Sequence, residues 1–498
     1  MATRADAPAP GPEIGLERRA VGLPTAIATT FGLIVASTVL YTVVSGFALS
    51  YTWLIALAIG LVAMYLQSMS LSELATMIPR AGSMNEYVRA GMGAFFATLT
   101  VLMGYVAIQF FPTTAEAFVP SSILHDVLGA DFFPIDVWII LMVGSVALLN
   151  IAGIRPYGAV EVFLTVAVAG SVGIIGFIGL IGAGTNDPIG GAFPDIGGLT
   201  WGGATGLAGL LGLAIFAFVG MEYTCPLAEE LENPRRDIPL GIFLGLGLVS
   251  IPLVLFGLAA ARYVPAEELG HFFPTAHVTV SEAILGDAGK WWMSIVSIAA
   301  TLSTLNALIA GLPRILYGMG LTGQLPRFFA YLLPATRTPI VGIVLIALIP
   351  IGMNLFVEPT SLTFLSLILA GVLGWATAYI LIHMSQMILR FRAPDVPRPF
   401  RSPLFPIPQL LGMGLLALAA FKLFPLADVK EDAYRYYLIF LAVAVAFSLL
   451  YNLLAYRSLG ALFRPVAVED VRREAEIVAA DVPPAPEPGG PGTRHDRP

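Results

Sequence analysis

The sequence predicts an all-α integral membrane protein of twelve transmembrane helices, and three observations carry that expectation. Hydrophobic residues make up 57% of the 498-residue chain and charged residues 12%, far too few charges to cover a water-soluble globule of this size. Mean hydropathy is +0.83. Apolar runs long enough to span roughly 30 Å of hydrocarbon recur along the whole chain.

Residues 1–20 are rich in Pro and Ala and read as a disordered tail, after which Pro24 opens the first helix. The run at about 24–46 is too long for the apolar region of a signal peptide, and no small-residue cleavage site follows it. Further runs fall at about 49–75, 93–118, 135–153, 157–183 and 204–227, then at 239–260, 291–318, 338–356, 360–388, 405–425 and 434–456. In the fifth run Gly170, Gly173, Gly176, Gly179 and Gly182 form a small-residue strip that lets a neighbouring backbone approach closely. The charged, Pro-rich tail, 461–498, reads as disordered.

Arginines such as Arg80, Arg155, Arg235, Arg314 and Arg390 fall on the side of the chain ends when twelve spans are threaded. The other side receives Arg262, Lys290, Lys422, Lys430 and Arg435 beside acids such as Asp131, Asp187 and Glu267. That asymmetry predicts a multi-pass protein of the cell membrane with both termini cytoplasmic.

Several function classes are excluded. A net charge of −7 with no basic stripe offers nucleic acid nothing to bind. The single cysteine, Cys225, permits no intramolecular disulfide, redox pair or Cys-rich metal site, and it reads as a packing residue. No His/Cys/Asp arrangement meets the needs of an enzyme, and no cofactor is expected. A sensor with a transporter-like body typically carries a large output domain, for which tails of about 20 and 35 residues are too short.

Two runs are interrupted. In the first, Gly32, Ala36, Ser37 and Thr38 stand among apolar neighbours and allow the backbone to unwind. In the sixth, Gly220 and Pro226 bracket Glu222, an ionisable group whose cost in hydrocarbon makes it a functional candidate. The breaks lie five spans apart, so residues 21–200 (helices 1–5) and 201–390 (helices 6–10) read as repeats, followed by two more helices over 391–460. An odd number of helices per repeat forces the second to be inverted. In such an architecture half-helix N-termini attract an anionic group and freed carbonyls receive an ammonium or a cation.

The sixth run, FAFVGMEYTCPLAEELENPRRDIP from Phe216 to Pro239, is similar to a pattern of the amino acid, polyamine and organocation permeases. SELATMIPRAGSMNEYVRAGMG after the second run, TLSTLNALIAGLPRILYGMGLTGQLP in the eighth, and PDVPRPFRSPLFPIP before the eleventh resemble the same family in the same order. The resemblance covers about residues 20–460. It implies the leucine-transporter type of inverted-repeat fold and a secondary transporter that moves an amino acid by alternating access, by proton-coupled symport or by exchange.

Carried over residue by residue, it implies a substrate carboxylate at Ile34, Ala36, Ser37 and Thr38 and an amino group at the carbonyls of Phe216, Ala217 and Val219, with Phe216 also an aromatic gate. The family's usual G-S-G or G-T-G triplet is here Ala36-Ser37-Thr38. This departure, with Glu222, leaves open a carrier of amines or polyamines whose substrate lacks a carboxylate. Some members carry a lysine in helix 5 that titrates with transport, where this chain has Val168.

Glu222 is expected to couple transport to protons or to pair with a substrate ammonium, and it belongs to both the substrate and the ion-coupling lists. Ser303 and Thr304 are candidate oxygen ligands for sodium, a proton being preferred as the coupling ion. Tyr105, Gln109 and Glu116 are candidates to line the path. Glu73 reads as a solvated helix-end charge, Glu229, Glu230, Arg235 and Arg236 as an inner gate or loop network, and His271 and His277 as a solvated loop. The expected partners are a small-molecule substrate and the lipid bilayer, with monomer or homo-oligomer left open.

Overall fold

The structure, a computed structural model, describes residues 15–49, 52–189, 206–265, 274–358, 360–423 and 426–473. The two expected tails lie mostly outside these residues. Apart from two isolated bridges, Val21 with Leu231 and Leu333 with Thr338, the described residues contain no β-structure.

The first apolar run is two helices, α1 (Leu23–Ile34) and α2 (Ser37–Leu49), bent by 51° at a break. Among the described residues, eight further segments are long and apolar enough to cross a membrane. They are α3 (Trp53–Met77), α5 (Ala94–Val127), α7 (Ile154–Ile181), the span Leu207–Leu227 that begins with α8 (Leu207–Phe216), α9 (Pro234–Tyr263), α11 (Asp287–Leu321), α13 (Ser361–Arg392) and α15 (Ala427–Tyr456). Between them lie α4 (Ser83–Met92), α6 (Ile135–Ile151), α10 (Ala276–Leu285), α12 (Ile340–Asn354), α14 (Ile407–Phe421) and the single turn α16 (Leu459–Leu462).

Three of the twelve expected spans are therefore the short helices α6, α12 and α14, of 17, 15 and 15 residues. A straight span needs about 20. Neither α4 nor α10 was expected from the apolar pattern: α4 is charged and α10 is only 10 residues long.

Close helix packing follows from the small residues. A Cβ at Gly176 would stand 2.6 Å from the backbone nitrogen of Phe256, so the strip in α7 lets the backbone of α9 pack directly against it. Gly60 of α3 similarly faces the backbone of Ala214 in α8, where a Cβ would meet the carbonyl oxygen at 2.5 Å.

The first and last described segments share one face. Ala20 and Val21 donate their backbone N–H groups to Glu230 O, Val466 N–H donates to Arg89 O, and Arg472 Nε donates to Met77 O at 3.0 Å. α10 packs against α2, α7, α9 and α11.

Buried ion pairs brace this shared face. Glu73 is 1% exposed, not solvated, and accepts from Arg390 Nε and Nη2 at 2.5 and 2.6 Å and from Ser402 N at 2.8 Å, with Arg398 Nε at 3.1 Å. Arg314 holds Glu230 in a two-pronged pair, its Nη2 donating to Oε1 at 2.8 Å. Glu229 reaches Arg80 at 3.4 Å, whereas Arg235 and Arg236 are exposed. Half of the expected four-residue network is thus built, with Arg80 and Arg314 as its cations.

Candidate functional site

The two broken segments cross each other near the centre of the bundle. The span beginning with α8 unwinds after Phe216, turns at Gly220 with φ of +107°, and continues as a 3-10 helix over Met221–Leu227. Only glycine adopts that φ without strain. Space demands glycine too, since a Cβ there would lie 2.2 Å from Leu33 Cδ2. Thr30 and Thr224 hydroxyls, 2.8 Å apart, and Thr224 Oγ1 donating to Ala26 O at 2.9 Å tie the 3-10 turn to α1. These bonds satisfy polar groups that unwinding leaves in a low-dielectric interior.

The break in α1 exposes the first amides of α2, and a side chain of α5 occupies them. Ser37 N donates to Glu116 Oε1 at 3.0 Å, and Thr38 N donates to Oε2 at 2.9 Å. Thr38 Oγ1 donates to Oε2 at 2.7 Å, and Thr301 Oγ1 donates to Oε1. Helix N-terminal amides carry partial positive charge and bind anions. The anion here is the chain's own carboxylate.

A small cavity lies between these elements. The break contributes Leu33, Ala36, Thr38 and Val39 to its wall, α5 contributes Ile108, Pro112, Thr113 and Glu116, and the α8 segment Phe216 and Val219. Thr304 and Leu308 of α11 and Trp375 of α13 complete it. Glu116 is the one ionisable side chain in that wall. The Phe216 and Trp375 rings lie 6.3 Å apart, centroid to centroid.

Of the residues singled out from sequence, Ala36, Thr38, Glu116, Phe216, Val219 and Thr304 meet in this cavity. Ser37 stands behind it, its hydroxyl donating to Ser297 O at 2.6 Å. Ile34 and Ala217 are buried and do not line it, and neither do Glu222 and Ser303. Glu222, fully buried, accepts a hydrogen bond from Tyr379 O–H at 2.7 Å. Cys225 is buried beside it in the 3-10 turn.

Ser303 and Thr304 belong to a different constellation. Thr304 Oγ1 donates to Gly32 O at 2.9 Å, and Ser303 Oγ donates to Glu161 Oε1 at 2.6 Å. Asn306 Nδ2 donates to Glu161 Oε2 at 2.6 Å, and its own Oδ1 accepts from Asn150 Nδ2 at 2.8 Å. Glu161, fully buried in α7, is the residue of that helix that reaches the α1 break; Val168, two turns on, is buried apolar packing. The sequence reading missed Glu161, whose signal was a lone acid inside an apolar run.

His277 is fully buried in the first turn of α10, so the reading of it as a solvated loop residue does not hold; His271 lies outside the described residues. No group of three or more His, Cys, Asp or Glu residues able to hold a metal ion occurs among the described residues.

The sequence profile of the amino acid permease family matches residues 23–451. Among curated proteins, the vacuolar cationic amino acid transporter 4 of Arabidopsis thaliana is 26% identical over 357 residues, covering 67% of this chain and 56% of that one. The serine/threonine exchanger SteT of Bacillus subtilis is 23% identical over 420 residues, covering 80% and 89%. The chain spans about half or less of the length of the first relatives it matches. Among solved structures it is similar in fold to Mhp1, a nucleobase-cation-symport-1 family transporter in a closed conformation with bromovinylhydantoin bound. That match has a TM-score of 0.55 and 17% identity, covering 93% of this chain and 99% of Mhp1.

Proposed function

Because the chain belongs to the amino acid permease family, we propose that it is a secondary transporter of the cell membrane that carries a small amine lacking a carboxylate, in exchange for protons. The observation behind this reading is Glu116. Its carboxylate takes up the amides of Ser37 and Thr38, to which the family resemblance assigns a substrate carboxylate. A second carboxylate in the cavity would face Glu116 with no basic side chain in the wall to relieve the repulsion.

The same wall suits an ammonium. Glu116 supplies a charge-assisted acceptor, the Phe216 and Trp375 rings offer faces on which a cation is attracted, and apart from Thr38, Thr113 and Thr304 the rest is apolar. Thr38 and the unwound backbone at Phe216, Ala217 and Val219 supply neutral acceptors; Ile34, Ala36 and Ser37 hold the break that aims α2 at Glu116. Rocking of one repeat against the other would open the cavity to each side in turn. The arginines gathered on the face of the first and last described segments support a cytoplasmic assignment for that face.

An amino acid substrate is the second reading, favoured by the names of the relatives, which are amino acid transporters and exchangers. Putrescine and ornithine separate the two, because they differ only by a carboxylate. The protein is reconstituted in liposomes and loaded with labelled putrescine, and each compound is offered as the exchange partner. Putrescine driving exchange while ornithine does not supports the amine reading, and equal exchange with ornithine overturns it.

A further inference from the structure

A row of hydroxyls leads from Glu116 away from the cavity. Thr301 Oγ1 donates to Glu116 Oε1 and lies 2.8 Å from Ser37 Oγ. Ser37 Oγ is 2.8 Å from Ser297 Oγ, which is 2.8 Å from His277 Nε2. His277 Nδ1 has no hydrogen-bond partner among the described residues. Ser297 and Thr301 stand four residues apart on one face of α11, so the helix presents both hydroxyls to the start of α2. All five side chains are buried, Glu116 at 2% exposure and the others at 0%. Hydroxyls in spanning helices ordinarily bond back to their own carbonyls. Here they bond between α2 and α11 to one another, ending on the imidazole of α10 at one end and the carboxylate of α5 at the other.

We infer that this row is a proton path, carrying protons from the buried His277 through Ser297, Ser37 and Thr301 to Glu116. A proton arrives on the free lone pair of His277 Nδ1, and the ring releases its other proton from Nε2 to Ser297 Oγ. Ser297 passes its hydroxyl proton to Ser37; the Ser37 hydroxyl, which rests donating to Ser297 O, rotates onto Thr301 Oγ1 and passes its proton there as Thr301 gives its own to Glu116 Oε1. Each hydroxyl gains one proton and loses one, the carboxylate becomes a carboxylic acid, and the imidazole ends as its other tautomer. Rotation of the hydroxyls and return of the ring to its first tautomer reset the row.

The inference rests on the reading of Glu116 as the group that binds the transported cation. Under it, one carboxylate holds either a proton or an ammonium, so arrival of the proton releases the amine, and movement of one is tied to opposite movement of the other.

No other charge supplies the proton locally. The elements packed around His277 carry Tyr41 on α2, Glu161 on α7, Arg262 and Tyr263 on α9, Glu282 on α10 and Asp287 and Lys290 at the start of α11. Arg262 donates to Leu180 O, and Glu161 is held by Ser303 and Asn306. Around Glu116, α6 brings the exposed Asp136 and α12 no charge within its helix, while α11 and α13 bring Arg314, Tyr379, His383, Arg390 and Arg392. Tyr379 donates to Glu222, His383 Nδ1 contacts Ser70, and Arg314 and Arg390 pair with Glu230 and Glu73. Neither His277 nor Glu116 forms an ion pair among the described residues.

The test needs no substrate. Full-length protein in liposomes is given a rapid drop in pH, and the C=O stretch of protonated carboxyl groups is followed by time-resolved infrared spectroscopy. The contribution missing in Glu116→Gln identifies Glu116 against Glu161 and Glu222. Ser297→Ala is expected to slow its appearance about tenfold or more while reaching the same final amplitude. His277→Asn is expected to do the same, with melting temperatures measured for both. Wild-type rates in Ser297→Ala overturn the path, and that one-oxygen change decides alone where His277→Asn does not fold. Slowed protonation together with ornithine exchange would keep the path and remove the amine reading, whereas unslowed protonation with putrescine-only exchange would do the reverse.

Discussion

Gly32 of α1 and Glu161 of α7 leave each other no room: a Cβ on Gly32 would stand 1.9 Å from Glu161 Oε1 and 2.2 Å from Ser303 Oγ. Both oxygens belong to one buried hydrogen bond, so neither can move without breaking it. Gly32→Ala is therefore expected to destabilise the protein by about 1–3 kcal/mol, the usual cost of overpacking a filled core. Glu161→Ala on the same background should recover part of the loss, because the two positions are in contact and couple. Thermal unfolding in detergent measures both, and strictly additive losses would show that the collision is not the cause.

Gly220 combines a φ of +107° with a Cβ position 2.2 Å from Leu33 Cδ2. For Gly220→Ala the backbone term alone costs about 1–2 kcal/mol, and the clash adds to it. Leu33→Ala makes room but leaves the backbone strained, so the double variant should regain only part of the lost melting temperature. Full recovery would mean that the turn relaxes to an ordinary φ.

These two glycines also show where the sequence was legible. Gly220 and Pro226 announced a break by their own backbone chemistry, and the structure unwinds the span between Phe216 and Gly220, ahead of the proline. The all-α architecture was equally plain, because a helix long enough to cross hydrocarbon needs an uninterrupted apolar run. Short helices were harder: α6, α12 and α14 read as spans, and α10 did not appear in the pattern. Glu116 stood only among candidate path residues and Glu161 was passed over, since a lone acid in an apolar run does not say which neighbouring helix it faces. His277 was misplaced for the same reason. Its burial depends on α10 packing against α2 and α11, a long-range contact with no local signature.

Glu230 and Arg314, 1% and 2% exposed at their side chains, form a pair whose halves need each other. Removing one partner leaves an uncompensated buried charge, a loss of about 3–5 kcal/mol. Arg314→Met and Glu230→Gln should each lower the melting temperature steeply. The double variant Glu230→Met/Arg314→Met buries no charge and should lie closer to wild type than either single change. A double variant at least as unstable as the sum of the singles would argue that the pair's other contacts, such as that from Arg314 Nη1 to Ala310 O, dominate.

Glu116, Glu161 and Glu222 are all buried within the bundle, yet only Glu116 lines the cavity. Neutralising them one at a time separates the roles that position alone suggests. Glu116→Gln keeps an acceptor for one of the Ser37 and Thr38 amides through its one oxygen but loses the charge that pairs with an ammonium. A truncated buried charge pair costs about 2–5 kcal/mol in binding, so putrescine should no longer raise the melting temperature at concentrations that stabilise wild type. Proton movement against putrescine, read by a trapped pH dye, should disappear with it. Glu222→Gln still accepts from Tyr379 and should retain dye-reported exchange, with a small change in stability. Exchange lost in Glu222→Gln and kept in Glu116→Gln would return the coupling role to the sixth span, where the sequence alone had put it.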